Sequence, residues 1–580
     1  MIDDLLLNSN IQRPARYIGK EWNVSSKSFD DARVRFALCF PDLYEVGMSN
    51  LGIRIIYGLL NGMEGVACER FFSLAADMES ALASAGKKPP SLESGRSLAE
   101  FDIVGFSLGY ELCYTNVLAM LECAGIPLHS AERASCHPLV IAGGPCALNP
   151  EPMHAFFDAF LIGEAEEALP EIVAAYASLK QELSAGRLSR QDALERLAAI
   201  EGVYVPSLYE PQYLPGGKIA RLSALRPNLP ERIKKRTVSN LDESFFPQDW
   251  LVPYLQTVHD RITLEIARGC PNRCRFCQAR QHYYPLRQRS PQSVLRLAEE
   301  LYKRTGYEEI ALAGLSVSDY PCIEELMSSL VGMFRRRGVG VSLPSIKPKD
   351  LVGGLSKQIA SIRKTGLTFA PEAATPALRS VLDKDFNLEE FFGALQQAFR
   401  SGYQRVKLYF MINLPGEQKE DLDAILDFAA SVSNARRKVS GGPAEVNVSI
   451  NALIPKAHTP FQWLAMQGIE ETEEKQLYLK RKLKNKRIKL NFHDARMSFM
   501  EGVLCRGDRR LSKVIEAAFK KGCRFDAWQD QFRFDLWMEA FSECGTDPQV
   551  YLGAKDKQEI LPWGHVDIGI SREALLQESP

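Results

Sequence analysis

Ile262-Thr263-Leu264-Glu265-Ile266-Ala267-Arg268-Gly269-Cys270-Pro271-Asn272-Arg273-Cys274-Arg275-Phe276-Cys277 is the stretch around which this chain is organised. Its first half is a short apolar run rich in β-branched residues and reads as a strand. Its second half places three cysteines within eight residues, with Cys-x3-Cys-x2-Cys spacing on one loop. Thiolates are the soft ligands that iron–sulfur clusters need. Three of them on one loop can reach three irons of a cube and leave the fourth without a protein ligand. A small bidentate ligand, such as the amine and carboxylate of an amino acid, could occupy that open iron. The competing reading is a structural zinc site, which wants four closed ligands, with His282 as the fourth.

Outward from this loop, strands alternate with helices in both directions. Downstream, strands are expected near 262–267, 308–313, 339–343, 366–370, 404–412 and 445–454, with helices between them such as Pro291 to Arg304. Six β/α units make a partial (β/α)6 barrel, whose reactive loops follow the strands. Upstream, strands are expected over Arg33 to Phe40, Val66 to Phe72, Asp102 to Ser107, Leu139 to Ala142 and Ala159 to Ile162. That alternation implies a Rossmann-like, doubly wound parallel sheet, with ligands beyond the carboxyl ends of its strands. The fold class is therefore α/β. The expected domains are a Rossmann-like domain over 1–165, a helical and Pro-rich connector over 166–255, a barrel over 256–464 and a charged, helical C-terminal region over 465–580.

The cysteine spacing, its place after a strand, and Phe276 between the second and third cysteines closely resemble the radical S-adenosylmethionine (SAM) superfamily. The resemblance implies a [4Fe-4S] cluster on Cys270, Cys274 and Cys277, with SAM chelating the open iron and being cleaved to a 5′-deoxyadenosyl radical. It also implies a low-potential electron donor such as flavodoxin or ferredoxin. Ala313-Gly314-Leu315-Ser316-Val317-Ser318 stands where many relatives carry Gly-Gly-Glu to receive the SAM amine. No Glu is present here, so Gly314, Ser316 and Ser318, or backbone carbonyls of this loop, are the candidates for that contact. Ala370-Pro371-Glu372-Ala373-Ala374-Thr375 resembles a segment of the methylthiotransferase-like branch and makes Glu372 a candidate SAM contact; the alternative is a carboxylate on a helix dipole. Lys407 to Glu417 resembles the family's fifth strand and Gly-Leu-Pro-Gly-Glu turn, with Asn413 in place of the first Gly. In Pro455-Lys456-Ala457-His458, His458 is either a substrate contact or a structural histidine. No residue is assigned a catalytic role from the sequence.

A Rossmann-like domain ahead of such a barrel resembles the cobalamin-binding architecture of class B radical SAM methylases. The Asp-x-His-x-x-Gly motif that ligates cobalt from below in mutase-type domains does not occur here. Cobalamin bound without that histidine and a domain that has lost the cofactor both stay open. The whole chain resembles a bacterial group that joins a cobalamin-binding-like domain to a radical SAM domain, on Phe40-Pro41-Asp42-Leu43-Tyr44-Glu45-Val46-Gly47-Met48-Ser49, Thr459-Pro460-Phe461-Gln462-Trp463 and Arg506-Gly507-Asp508-Arg509-Arg510. Members of that group carry or neighbour a further domain, so the resemblance also implies a separate partner protein. Three readings follow: a cobalamin-dependent methyltransferase, a cobalamin-independent radical enzyme modifying RNA or protein, or a noncatalytic cluster-bearing scaffold at RNA or the ribosome.

Composition narrows the rest. Net charge is −1 over 580 residues, with 46% hydrophobic and 25% charged residues, so the molecule as a whole is not an electrostatic nucleic-acid binder. No apolar run approaches the ~18 residues of a membrane span, and Met1 to Asn10 carries no targeting pattern; a cytoplasmic protein is expected. Thirteen scattered cysteines then read as buried thiols plus metal ligands, with Cys505, Cys523 and Cys544 among the buried ones. The run Lys480 to Lys489 is either a phosphate-contacting surface or a salt-bridged helix face. Arg506 to Arg510 either holds an anion or links helices.

Overall fold

A computed structural model describes residues 3–7, 9–342 and 367–580. The N-terminal sheet contains β1 (Val34–Phe40), β2 (Val66–Phe72), β3 (Ile103–Ser107), β4 (Leu139–Gly143), β5 (Ala159–Leu161) and β6 (Val203–Tyr204), in the order β2-β1-β3-β4-β5-β6. All neighbours are parallel except β5 and β6. The near-continuous apolar runs of these strands are what burial on both faces requires. Helix Leu51–Gly62 shows how the layers meet. Asn50 caps it by accepting from the Ile53 amide at 3.2 Å, and Ile53, Tyr57 and Leu60, spaced on one face, are buried.

The edge strand β2 carries a buried cation. Arg70 is fully buried and pairs with Glu21 at 2.7 Å and Glu93 at 2.6 Å. Removing one partner from such a site leaves uncompensated charge, at a cost of about 3–5 kcal/mol. Arg70→Leu is therefore expected to move the urea midpoint markedly lower without changing the slope of the transition. A midpoint within experimental scatter of the unaltered protein would show that the two carboxylates are neutralised in some other way.

All six expected strands of the second unit are present. They are β7 (Ile262–Glu265), β8 (Glu309–Ala313), β9 (Gly340–Ser342), β10 (Leu367–Glu372), β11 (Arg405–Ile412) and β12 (Glu445–Ala452). They form two parallel sheets, β7-β8-β9 and β10-β11-β12, and the second gains a further parallel strand, β13 (Ile488–Phe492), with Val446 opposite Ile488. The charge run reads as helical there, and the helix does cover Ile469–Lys482. Beyond it, Ile488, Leu490 and Phe492 alternate with Lys489 and Asn491, a period-two pattern that the flanking lysines obscure. Within the basic run, Lys482 pairs with Asp423 at 2.6 Å and Arg487 with Glu445 at 3.7 Å, so these two charges serve the fold's own surface.

The connector holds helices Ala165–Ser184 and Arg190–Leu197 and the antiparallel pair Tyr209–Tyr213 and Ile219–Ala224. Helices Ala495–Cys505, Leu511–Lys520 and Phe534–Glu543 follow β13, and their buried faces share one continuous core with the N-terminal sheet. Arg506 is the fastener. It is fully buried and donates to the carbonyls of Tyr551 at 2.8 Å and Pro455 at 3.0 Å, so it joins chain segments and holds no anion. Cys505 and Cys523 are buried as expected, and Cys544 is half-buried.

Candidate active site

β7 runs into the cysteine loop through Arg268, which is anchored before the first cysteine is reached. Its guanidinium meets Glu265 at 2.8 Å, Glu166 at 2.7 Å and Glu164 at 3.3 Å, and Glu164 also holds Arg287 at 2.7 Å. These carboxylates raise the affinity of Arg268 for its proton against the effect of burial. Gly269 follows with φ 95°, and a Cβ there would stand 2.7 Å from Leu286 Cα and 2.8 Å from the Pro285 carbonyl. Only glycine fits that conformation and approach.

Cys270, Cys274 and Cys277 are half-buried free thiols. Cys277 and Cys270 lie close enough to disfavour the ionisation of Cys274. Burial pushes Cys274 up to about 11, with Lys384 opposing, and burial also raises Cys277. Asn272, inside the loop, donates to Cys270 Sγ at 3.2 Å and to Asp319 at 3.1 Å. Ser316 Oγ donates to the same Asp319 carboxylate at 2.7 Å. The loop after β8 is thereby tied to the cysteine loop. Gly314 permits that approach, since a Cβ there would lie 3.3 Å from the Ala267 carbonyl. Ser318 sits in the turn Val317–Asp319 of the same loop.

The strand ends on the other side of the site carry unusual backbone. β10 has a register shift against β11 between Phe369 and Glu372, at Ala370-Pro371. Bulges of this kind re-aim side chains, and proline is tolerated there. Glu372 then takes φ 64° and Asn413 after β11 takes 68°. Such conformations are uncommon for residues with a Cβ and gather at functional sites. Glu372 is largely buried, which raises its pKa, and Lys384 works the other way through an ion pair of 2.8 Å. Lys384 also lies 5.7 Å over the Phe276 ring. Phe276 packs against the small core of Ala373, Leu378, Leu382, Leu414, Leu453 and Phe461. Arg275 completes the attachment, its amide donating to the Leu382 carbonyl at 3.0 Å.

The structure thus places Cys270, Cys274, Cys277, Phe276, Gly314, Ser316, Ser318 and Glu372 at and beyond the carboxyl ends of β7, β8 and β10. Asn272, Asp319 and Lys384 belong to the same arrangement and were not legible as such: Asn272 lay unread within the motif, and Lys384 lies twelve positions past Glu372. His458 does not face this edge. It is buried, its Nε2 meets the Leu148 carbonyl at 3.0 Å, and burial pulls its pKa down to about 3, so it is a neutral structural histidine. His282 is buried too, with its pKa pulled down to about 4 by burial and by Lys235. Among the described residues no three His, Cys, Asp or Glu side chains converge on one metal position. The zinc reading would need His282 as its fourth ligand, and that residue is instead buried, with Lys235 donating to its carbonyl at 2.8 Å. What the loop offers is three neighbouring thiols, the donor set that suits a cubane with one open iron.

Two family models match the chain, "Radical SAM proteins, N-terminal" over residues 52–206 and "Radical SAM superfamily" over residues 264–429. The chain belongs to the radical SAM superfamily. An uncharacterized protein of Methanocaldococcus jannaschii is 26% identical over 518 residues, 89% of this chain and 98% of that one. The ribosomal protein uS12 methylthiotransferase of Pelotomaculum thermopropionicum is 26% identical over 211 residues, 34% of this chain and 45% of that protein. Among solved structures, the radical SAM methyltransferase TsrM of Kitasatospora setae, with cobalamin and a [4Fe-4S] cluster bound, aligns at TM-score 0.45 and 14% identity over 72% of this chain and 75% of that one. The cobalamin-dependent radical SAM enzyme OxsB aligns at TM-score 0.45 and 12% identity over 94% of this chain and 83% of that one. A radical SAM enzyme uses a [4Fe-4S] cluster and SAM, and needs a reductant and a substrate. Among the described residues no helix is long and apolar enough to cross a membrane.

Proposed function

We propose that Cys270, Cys274 and Cys277 hold the cluster of this radical SAM enzyme, and that the loop 313–319 with Glu372 and Lys384 receives SAM. The observation that supports this reading is that these groups lie side by side. Three thiols from one strand end share a site with a serine–aspartate–asparagine network and with a half-buried ion pair that Lys384 makes to Glu372 at the end of a bulged strand. The bound cluster and SAM would supply the reducing electron and the radical, chemistry no side chain provides. The protein's own groups bind, orient and screen. Asn272 steadies the Cys270 sulfur, and Asp319 fixes Asn272 and Ser316. Lys384 offers a cation to a carboxylate, and Glu372 offers an anion to an amine. Phe276 and its apolar neighbours keep water from the thiols.

In this reading flavodoxin or ferredoxin delivers the electron, and hydrogen is abstracted from an RNA or protein group presented at the same carboxyl edge, with a separate protein able to help present it. The partial match to an enzyme acting on a ribosomal protein supports that substrate class. The test is anaerobic reconstitution with iron and sulfide, addition of SAM and dithionite, and measurement of 5′-deoxyadenosine. A fully loaded cluster that cleaves no SAM, with and without cellular RNA and ribosomal protein, would overturn the reading.

A further inference from the structure

The strand order of the N-terminal sheet reverses direction between β1 and β3, and the crevice at such a point is where doubly wound sheets take their ligand. A corrinoid would have to lie across this carboxyl edge. In this chain the edge is filled by the chain itself. At the end of β1, the buried Asp42 carboxylate accepts from Trp528 Nε1 at 2.9 Å. Asn116 donates to the neighbouring Pro41 carbonyl at 2.9 Å and accepts from the Phe525 amide at 2.8 Å. Past the end of β3, the Tyr110 hydroxyl donates to Glu501 at 2.7 Å, and Lys456 joins Glu111 at 3.0 Å to Glu501 at 2.8 Å. Past β4, the Leu148 carbonyl is taken by His458.

Apart from Trp528, which is 38% exposed, these contacts are not loose cover. Glu111 and Asp42 are buried, and pulling Lys456 away would leave two carboxylates in a dry interface, the costly half of a buried ion pair. A cavity between the end of β2 and helix Tyr114–Ala124, lined among others by Asn116 and Phe525, is about 30 Å³, room for about two waters. Sites for drug-sized ligands need roughly 300–1,000 Å³, and a corrinoid is larger than those. The residues present do not fit the cofactor.

We infer that residues 456–458 and 501–528 are the permanent occupants of this crevice, so that the N-terminal domain takes up no corrinoid and instead fixes the C-terminal helices and the segment after β12 in place. The domain keeps the architecture of a ligand carrier and uses its ligand face as a docking face for its own chain.

The full chain, reconstituted anaerobically, would be incubated with hydroxocobalamin, passed through gel filtration and read for corrinoid absorbance per chain. The expected result is no retained corrinoid, with 5′-deoxyadenosine formation unchanged by the addition. Retention near one corrinoid per chain would overturn the inference. Hydrogen exchange at 523–528 gives a second readout: these amides are expected to be strongly protected, and fast exchange would overturn permanent occupancy. Failure of SAM cleavage on the same sample would count against the cluster assignment alone, since corrinoid retention and exchange are measured independently of it.

Discussion

Cys274→Ala is expected to abolish reductive SAM cleavage, lowering 5′-deoxyadenosine formation on the order of 10³-fold or more, which corresponds to about 4 kcal/mol or more of lost transition-state stabilisation. The charge-transfer absorbance of the reconstituted cluster should fall with it. Cys274 is the middle ligand of the loop and is fixed from both sides, by Arg275 on the Leu382 carbonyl and by the turn in which the Cys277 amide donates to the Cys274 carbonyl at 3.1 Å. No neighbouring side chain offers a replacement thiolate, because the other cysteines lie on elements outside this loop. The control is Cys544→Ala. That thiol is half-buried beyond helix Phe534–Glu543, and its loss should leave cleavage and cluster content unchanged. Full turnover by Cys274→Ala would sink the cluster assignment, and equal losses in both variants would point to a general defect in folding.

The parts of this architecture that depend on local pattern were legible in the sequence. The N-terminal strands announce themselves because both faces are buried and the runs are nearly all apolar, as in Leu139 to Gly143, with Arg35 in β1 and Glu69 and Arg70 in β2 as interruptions. The strands of the second unit do so through alternation, as where β12 sets Val446, Val448 and Ile450 between exposed or half-exposed positions. Strand β13 was hidden because its three apolar residues sit beside a basic run whose composition favours a helix. At the site, the cysteines and the Glu372 segment could be named from spacing and resemblance. The bulge at Ala370-Pro371 and the cation at Lys384 could not, because backbone strain and ion pairing have no fixed sequence period.

The largest blind spot was the crevice. Asp42 and Trp528 are 486 positions apart, and Tyr110 and Glu501 are 391 apart. Each end of those contacts reads alone as an ordinary polar or aromatic surface residue. The same separation explains why the C-terminal helices read as an accessory region, although their core is continuous with that of the N-terminal sheet. A motif search reads a domain's type from its strands. Whether its ligand face is free depends on residues hundreds of positions away.

Lys384→Met should weaken SAM cleavage by roughly 10-fold in kcat/KM, about 1.4 kcal/mol, less than the cost of truncating one partner of a fully buried charge pair because the Lys384 side chain is 29% exposed. The substitution keeps most of the side-chain volume over Phe276 and removes only the charge. Burial raises the Glu372 pKa and Lys384 lowers it; without the lysine only the raising influence remains. The carboxyl group of the variant therefore takes up its proton at a higher pH than in the unaltered enzyme. If the carboxylate form is what receives SAM, activity in the variant declines as pH falls, beginning at a higher pH than before, while activity at high pH recovers part of the loss. Three readouts separate this from structural damage: cluster absorbance stays unchanged, the loss falls mainly on KM for SAM, and Lys384→Arg restores much of the activity by renewing the pair. An equal loss in both variants with an unshifted pH profile would place Lys384 outside SAM binding, as a residue that only supports the turn after helix Pro376–Val381.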